Sequence, residues 1–111
     1  MSAQLWFAPD INLMVDEFVA EARDDIVGLW KIVKELENMG ADPAALREQT
    51  LAVVRSLLAR GPLTGDPPYS ANGFQVWADQ KPDGVISRIR REWLALGRVP
   101  NIPDIVWFSR P

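Results

Sequence analysis

The chain has 111 residues, one domain's worth, and leaves no room for a second core. It contains neither Cys nor His, which excludes disulfides, thiolate metal sites, Cys nucleophiles and His general bases. The net charge of −3 hides an asymmetry: residues 1–48 carry ten acids against four bases, residues 49–111 five acids against eight.

With 48% apolar and 24% charged residues the composition is that of a globular domain. No apolar run approaches a membrane span, and the N-terminus lacks the basic, apolar and cleavage-site order of a secretion signal. The expected location is the cytoplasm, with no membrane partner.

Leu5-Trp6-Phe7 reads as a short strand or anchor stopped by Pro9. From Ile11 the apolar residues Met14, Val15, Phe18, Val19 and Ala22 recur at helical spacing, with Asp10 as the expected N-cap. Ile26, Leu29, Trp30, Val33, Leu36 and Met39 resume the period beyond Arg23-Asp24-Asp25, and Gly40 marks a stop. The seam through 11–39 is compatible with one long helix. A folded-back pair is expected instead, with Asp24 or Asp25 capping the second, because it gives one domain more core.

Asp42-Pro43 predicts a helix start, and the helix runs over 44–60 to Gly61-Pro62. Its apolar face is Leu46, Thr50, Val53, Val54, Leu57 and Leu58. Glu48, Gln49, Ala52, Arg55, Ser56 and Ala59 lie opposite. Leu63-Thr64 and 74–77 read as two strands of a hairpin with a long, proline-stiffened loop.

A fourth helix is predicted from Pro82-Asp83 to Gly97, burying Val85, Ile86, Ile89, Trp93 and Leu96 and turning Arg88, Arg90, Arg91 and Glu92 outward. After the Pro100–Pro103 turn, 105–108 reads as a short turn or as a last apolar strand that would extend the sheet. Its Trp107-Phe108 pair is expected to meet Trp6-Phe7. Trp30 and Trp93 are expected in the core.

The order helix, turn, helix, hairpin over residues 29–77 resembles a winged helix-turn-helix domain. The resemblance rests on Leu29-Trp30-Lys31-Ile32-Val33-Lys34-Glu35-Leu36, on the 38–42 turn, and on the leucine pair and Gly in Leu57-Leu58-Ala59-Arg60-Gly61. It implies a DNA reader whose third helix enters the major groove, with Arg47, Gln49, Arg55, Ser56 and Arg60 as contacts. The chain departs from that pattern at Glu48, Ala52 and Ala59 on the open face. Its wing loop, 64–72, carries Asp66 and no Lys or Arg. The scaffold equally suits protein interaction, since fold does not fix function.

Arg88, Arg90, Arg91 and Arg98 form the densest basic patch, suited to phosphate, to an acidic partner or to solubility, with Glu92 pairing Arg88 one turn away. Asp16, Glu17, Glu21, Asp24 and Asp25 form an acidic cluster without calcium-loop spacing, read as a solvated face. Tyr69, Phe74 and Trp77 form a candidate aromatic patch. The small residues Ala20, Gly28 and Ala52 would let helices approach closely in a homodimer.

The expected fold is a single α+β domain, mainly helical with a small hairpin sheet, winged-helix-like over 11–77 with an added C-terminal helix and tail over 82–111. The expected function is a non-enzymatic protein-interaction module without metal or cofactor, which takes a protein partner or forms a homodimer. The alternative is a sequence-specific DNA-binding regulator. A weaker third reading is an acid-based enzyme or metal binder.

Overall fold

The computed structural model describes residues 3–110, with side chains from residue 12 onward. The described residues form α1 (Ala3–Asp24), β1 (Val27–Gly28), α2 (Leu29–Asn38), α3 (Leu46–Leu58), β2 (Leu63–Gly65), α4 (Pro82–Leu96) and β3 (Trp107–Ser109). The architecture is mainly helical, with a three-stranded antiparallel sheet ordered β1-β3-β2.

Met14, Val15, Phe18, Val19 and Ala22 are buried along α1, on the stripe their spacing predicts. The helix reaches further back than expected, so 5–7 is not a strand, Pro9 does not stop it and Asp10 is not its cap. Pro9 forfeits its own N–H bond, but its fixed φ is already helical. The expected meeting of Trp6-Phe7 with Trp107-Phe108 lies outside the described residues.

Two helices form rather than one. Asp25 Oδ1 accepts the Ile26 N–H at 2.8 Å and turns the chain out of α1. Neither Asp24 nor Asp25 caps α2, whose N-cap is Gly28 with no side-chain bond. The Leu29 N–H donates instead to the Val106 carbonyl at 3.0 Å, so a distant strand satisfies this helix start. Gly28 therefore belongs to the sheet and not to a close helix pair.

Leu29, Ile32, Val33 and Leu36 of α2 are buried. The helix ends as predicted at Gly40, at φ 89°. The Gly40 N–H bonds Glu37 O and the Ala41 N–H bonds Leu36 O, both at 3.0 Å, a complete Schellman closure.

α3 starts later than Asp42-Pro43 suggests. The Asp42 carboxylate accepts the Ala44 N–H at 3.0 Å and its carbonyl accepts the Ala45 N–H at 2.9 Å, which spends the cap on a separate turn. Leu46, Thr50, Leu51, Val53, Val54 and Leu57 are buried, and Thr50 Oγ1 donates to Leu46 O at 2.7 Å. Each fully buried aliphatic chain here is worth about 1.5–3 kcal/mol.

α4 carries Pro82 in its first turn and ends at Gly97, φ 74°, as predicted; Val85, Ile86, Ile89 and Trp93 are buried and Leu96 is half-buried. Among the described residues no helix is long and apolar enough to cross a membrane.

The sheet differs from the expected hairpin. β2 meets the 74–77 segment in a single bridge, Gly65 with Val76, while β3 lies in the centre and pairs with both other strands. Val27, Phe108 and Thr64 share a row that faces the core and are buried. Gly28, Trp107 and Gly65 share the next row and face the other way.

The far edge of β2 is closed by a side chain. Gln80 Oε1 accepts from the Thr64 N–H at 2.8 Å and from Thr64 Oγ1 at 3.0 Å. Its Nε2 donates to Thr64 O at 2.9 Å and to Trp77 O at 2.6 Å. One amide thus behaves as a further strand residue.

Candidate interaction surface

Two surfaces carry the residues singled out in the sequence, and the first is the seam between α3 and α4. The helices run antiparallel, so Glu48 faces Arg90 and Arg55 faces Asp83. Arg90 holds Glu48 through two bonds of 2.7 and 3.1 Å, and Arg55 reaches Asp83 at 3.0 Å.

The Arg90 hydrogen bonds hold the Glu48 carboxyl below the usual carboxylate range against a desolvation penalty, with Arg47 adding to the effect. Glu48 raises the Arg90 guanidinium in return. On the other flank of α3, Arg60 bonds Asp16 of α1 at 2.6 Å. Arg47 bonds its neighbour Glu48 at 3.3 Å.

Arg88 is half-buried rather than turned fully outward as expected. Its guanidinium lies 3.6 Å above the Trp77 ring and bonds Glu92 at 2.7 Å, with Asp66 3.7 Å away. The Trp77 indole N–H donates to Asp66 Oδ1 at 2.9 Å. Cation, ring and carboxylates together pin the 66–77 loop to α4. Trp77 is buried here and does not belong to an exposed patch.

Of the predicted contacts, Ser56 and Arg91 remain exposed and enter no ion pair among the described residues. Gln49 is half-buried, with its Oε1 buried and unpartnered. The acidic cluster is dispersed: Asp16 pairs with Arg60 and Glu21 with Lys31, and the described residues hold no group able to bind a metal ion.

The second surface is the outer face of the sheet. Trp107 rises from β3 between two glycines, and the vacated space is filled from both sides. A Cβ on Gly28 would lie 2.5 Å from Trp30 Cδ1, and one on Gly65 would lie 2.7 Å from Phe74 Cζ. Trp30, Trp107 and Phe74 therefore lie side by side across the strands. Tyr69 stands edge-on to Trp107 at 6.0 Å.

The Trp107 indole N–H donates to Ile102 O at 3.0 Å, which brings the 98–104 loop onto the same face. Asp104 clamps that loop, accepting from Arg98 and from the Asn101 N–H, both at 2.7 Å. Burial pushes the Asp104 carboxyl up, but the Arg98 and Asn101 bonds outweigh it and hold the group below its ordinary range. Ile105 follows at φ 63°, a left-handed backbone that costs a β-branched residue on the order of 1–3 kcal/mol. The Val106 N–H bonds Asp104 O across it at 2.9 Å, which directs Trp107 outward.

Around this layer Tyr69 is 66% exposed and Val76 52%, with Val99 and Ile102 exposed beside them. Trp30 is half-buried rather than core; with Val33, Val99 and Ile102 it lines a hollow of about 190 Å³. The sequence singles out Tyr69 and Phe74. It does not mark Trp30, Val76 or Ile102 as surface members around the buried Trp107, because their convergence depends on pairing between distant strands. Two glycines in strands beside aromatics were the available signal. No protein-family model, curated protein or solved structure matches the chain.

Proposed function

We propose that this chain is a small, non-enzymatic, cytoplasmic protein-interaction module on a winged-helix-like scaffold. The observation that carries the reading is the exposed apolar rim of Tyr69, Val76, Val99 and Ile102 around the Trp30–Trp107–Phe74 layer. Aromatic anchors held on a rigid layer are the residues that dominate protein interfaces, because little rotamer entropy is lost when they are covered.

The scaffold reading is supported by α2, the Gly40 turn and α3 in succession, with a small sheet beside them. It departs from the simple pattern where α4 enters the excursion that would form the wing, so the returning strand is β3.

The alternative, a sequence-specific DNA-binding regulator, asks α3 for free cations. Arg47, Arg55 and Arg60 each contact a carboxylate, and the 66–72 loop has no base. Phosphate neutralisation would have to displace those pairs first, at the expense of the affinity it supplies.

The test is a photo-crosslinking residue in place of Tyr69, used in cells of the source organism. The expected result is a discrete protein adduct that disappears with Ile102→Asp and persists with Arg55→Gln. Absence of any adduct, together with duplex-DNA binding that weakens steeply with salt and with Arg55→Gln, would overturn the reading in favour of the alternative.

A further inference from the structure

Two outer faces, remote from the sheet, carry opposite charge, each beside an exposed leucine. The groove between α1 and α2 is lined by Leu13, Met14, Glu17, Glu35 and Met39 and encloses about 220 Å³. Leu13 is 61% exposed at its mouth. Leu13 and Glu17 are one turn apart on α1, as are Glu35 and the α2 C-cap Met39, so each wall sets an apolar side chain beside a carboxylate. Glu17 and Glu35 enter no ion pair among the described residues. Methionines in the floor adapt to whichever aliphatic group enters.

The outer face of α4 is the counterpart. Arg88 and Arg90 turn to its two flanks, towards Trp77 and Glu48, and leave Ser87, Arg91, Leu94 and Ala95 as the exposed strip between them. Leu94 is 59% exposed. Arg91 precedes it by one turn, and Arg98 lies just beyond the helix end. Arg98 is held by Asp104, so Arg91 is the cation that stands unpaired, among the described residues, beside the exposed Leu94. On α1 and α2 an apolar groove with a carboxylate on each wall faces solvent.

Within one molecule the two cannot meet. α4 packs on the α3 flank that bears Glu48 and Arg55, whereas α1 packs on the flank that bears Arg60.

We propose that the occupant of the α1–α2 groove is α4 of a second copy of this chain, with Leu94 in the hollow and Arg91 between Glu17 and Glu35. Because the two surfaces lie on opposite flanks of α3, a single partner cannot engage both, and the contact is head-to-tail. It closes as a ring or extends as a chain, and is not a two-fold dimer. The inference gives the interaction module a self-associating mode and does not use the sheet face.

Sedimentation equilibrium of the full chain at low and high salt tests it. The expected result is an average mass that rises with protein concentration and falls with added salt. Glu17→Lys with Glu35→Lys, and separately Arg91→Glu, each weaken association on the order of tenfold. Mixing these two variants restores it, since each then meets its complement. All the altered positions are exposed, and circular dichroism verifies that each variant is folded. Leu94→Ser gives the same loss without a charge change.

Tyr69→Ala leaves the association unchanged, so failure here and failure of the sheet-face reading are separable. A monomer throughout at low salt overturns the proposal. So does association indifferent to both charge reversals, or a mixture no more associated than its components.

Discussion

Replacing Gly28 with alanine sets a Cβ 2.5 Å from Trp30 Cδ1 and 2.7 Å from Trp107 Cε2. The backbone there, φ −87° and ψ 151°, is open to any residue, so no conformational strain enters. In open space the change would stabilise by about 0.4–1 kcal/mol through the unfolded chain. Crowding reverses the sign. Trp107 is tethered through its indole N–H to Ile102 O, and Trp30 is packed against it, so neither ring retreats freely. Overpacking of this kind costs about 1–3 kcal/mol, leaving a net loss of about 1–2 kcal/mol. Urea unfolding followed by tryptophan fluorescence should show the midpoint lowered by roughly 0.5–1 M at unchanged slope. In a Trp30→Ala background the cost should shrink but not vanish, because Trp107 Cε2 still lies 2.7 Å from the added Cβ. A Gly28→Ala protein as stable as its parent, or an equal cost in both backgrounds, would refute the packing argument.

Gln80→Ala removes the acceptor of the Thr64 N–H and the donor to Trp77 O, while Thr64 O keeps the Trp77 N–H, and should cost about 1–3 kcal/mol in chemical denaturation, since a buried N–H is left unpaired. Asp104→Asn should cost about 1–2 kcal/mol at neutral pH by loosening the 98–104 loop. The folded Asp104 carboxyl lies below its unfolded value of about 3.9, so its contribution is complete above that pH. It is lost as pH falls through the folded value, and the acid limb of the stability curve should flatten in the variant. Arg88→Leu keeps apolar cover over Trp77 but loses the cation, with an expected cost of about 0.5–2 kcal/mol and a changed Trp77 emission. Glu48→Gln should change thermal stability by no more than about 0.5 kcal/mol, because its ion pair with Arg90 is open to solvent.

Local signals in the sequence located the elements that local chemistry decides. Gly40 and Gly97 end helices because only their backbones turn left-handed there, and Pro82 starts one because its N–H is not needed. The buried stripes of α1, α2, α3 and α4 follow their spacing. What could not be read depends on distant partners. β1 is two residues long and exists only because β3, from the far end of the chain, pairs with it. The start of α2 rests on Val106 O, for which residues 24–28 contain no hint. Arg55, Arg60 and Arg90 look like free cations in a linear reading, and become paired only when α1 and α4 flank α3. Trp30 lies on an apolar helix face yet ends at the edge of the sheet layer, because Gly28 leaves space for its ring.

The Gln80 amide has a consequence for how the molecule behaves when crowded. A strand border with bare N–H and C=O groups is a template on which other chains can stack and aggregate. At Thr64 both backbone groups on that border are already taken by Gln80, and Trp77 N–H also bonds Thr64 O at 2.9 Å. Strand addition along β2 is therefore blocked, and the small sheet is protected from fibre-like growth on this side by one glutamine side chain together with the 75–77 backbone, rather than by a charged or proline-bearing edge.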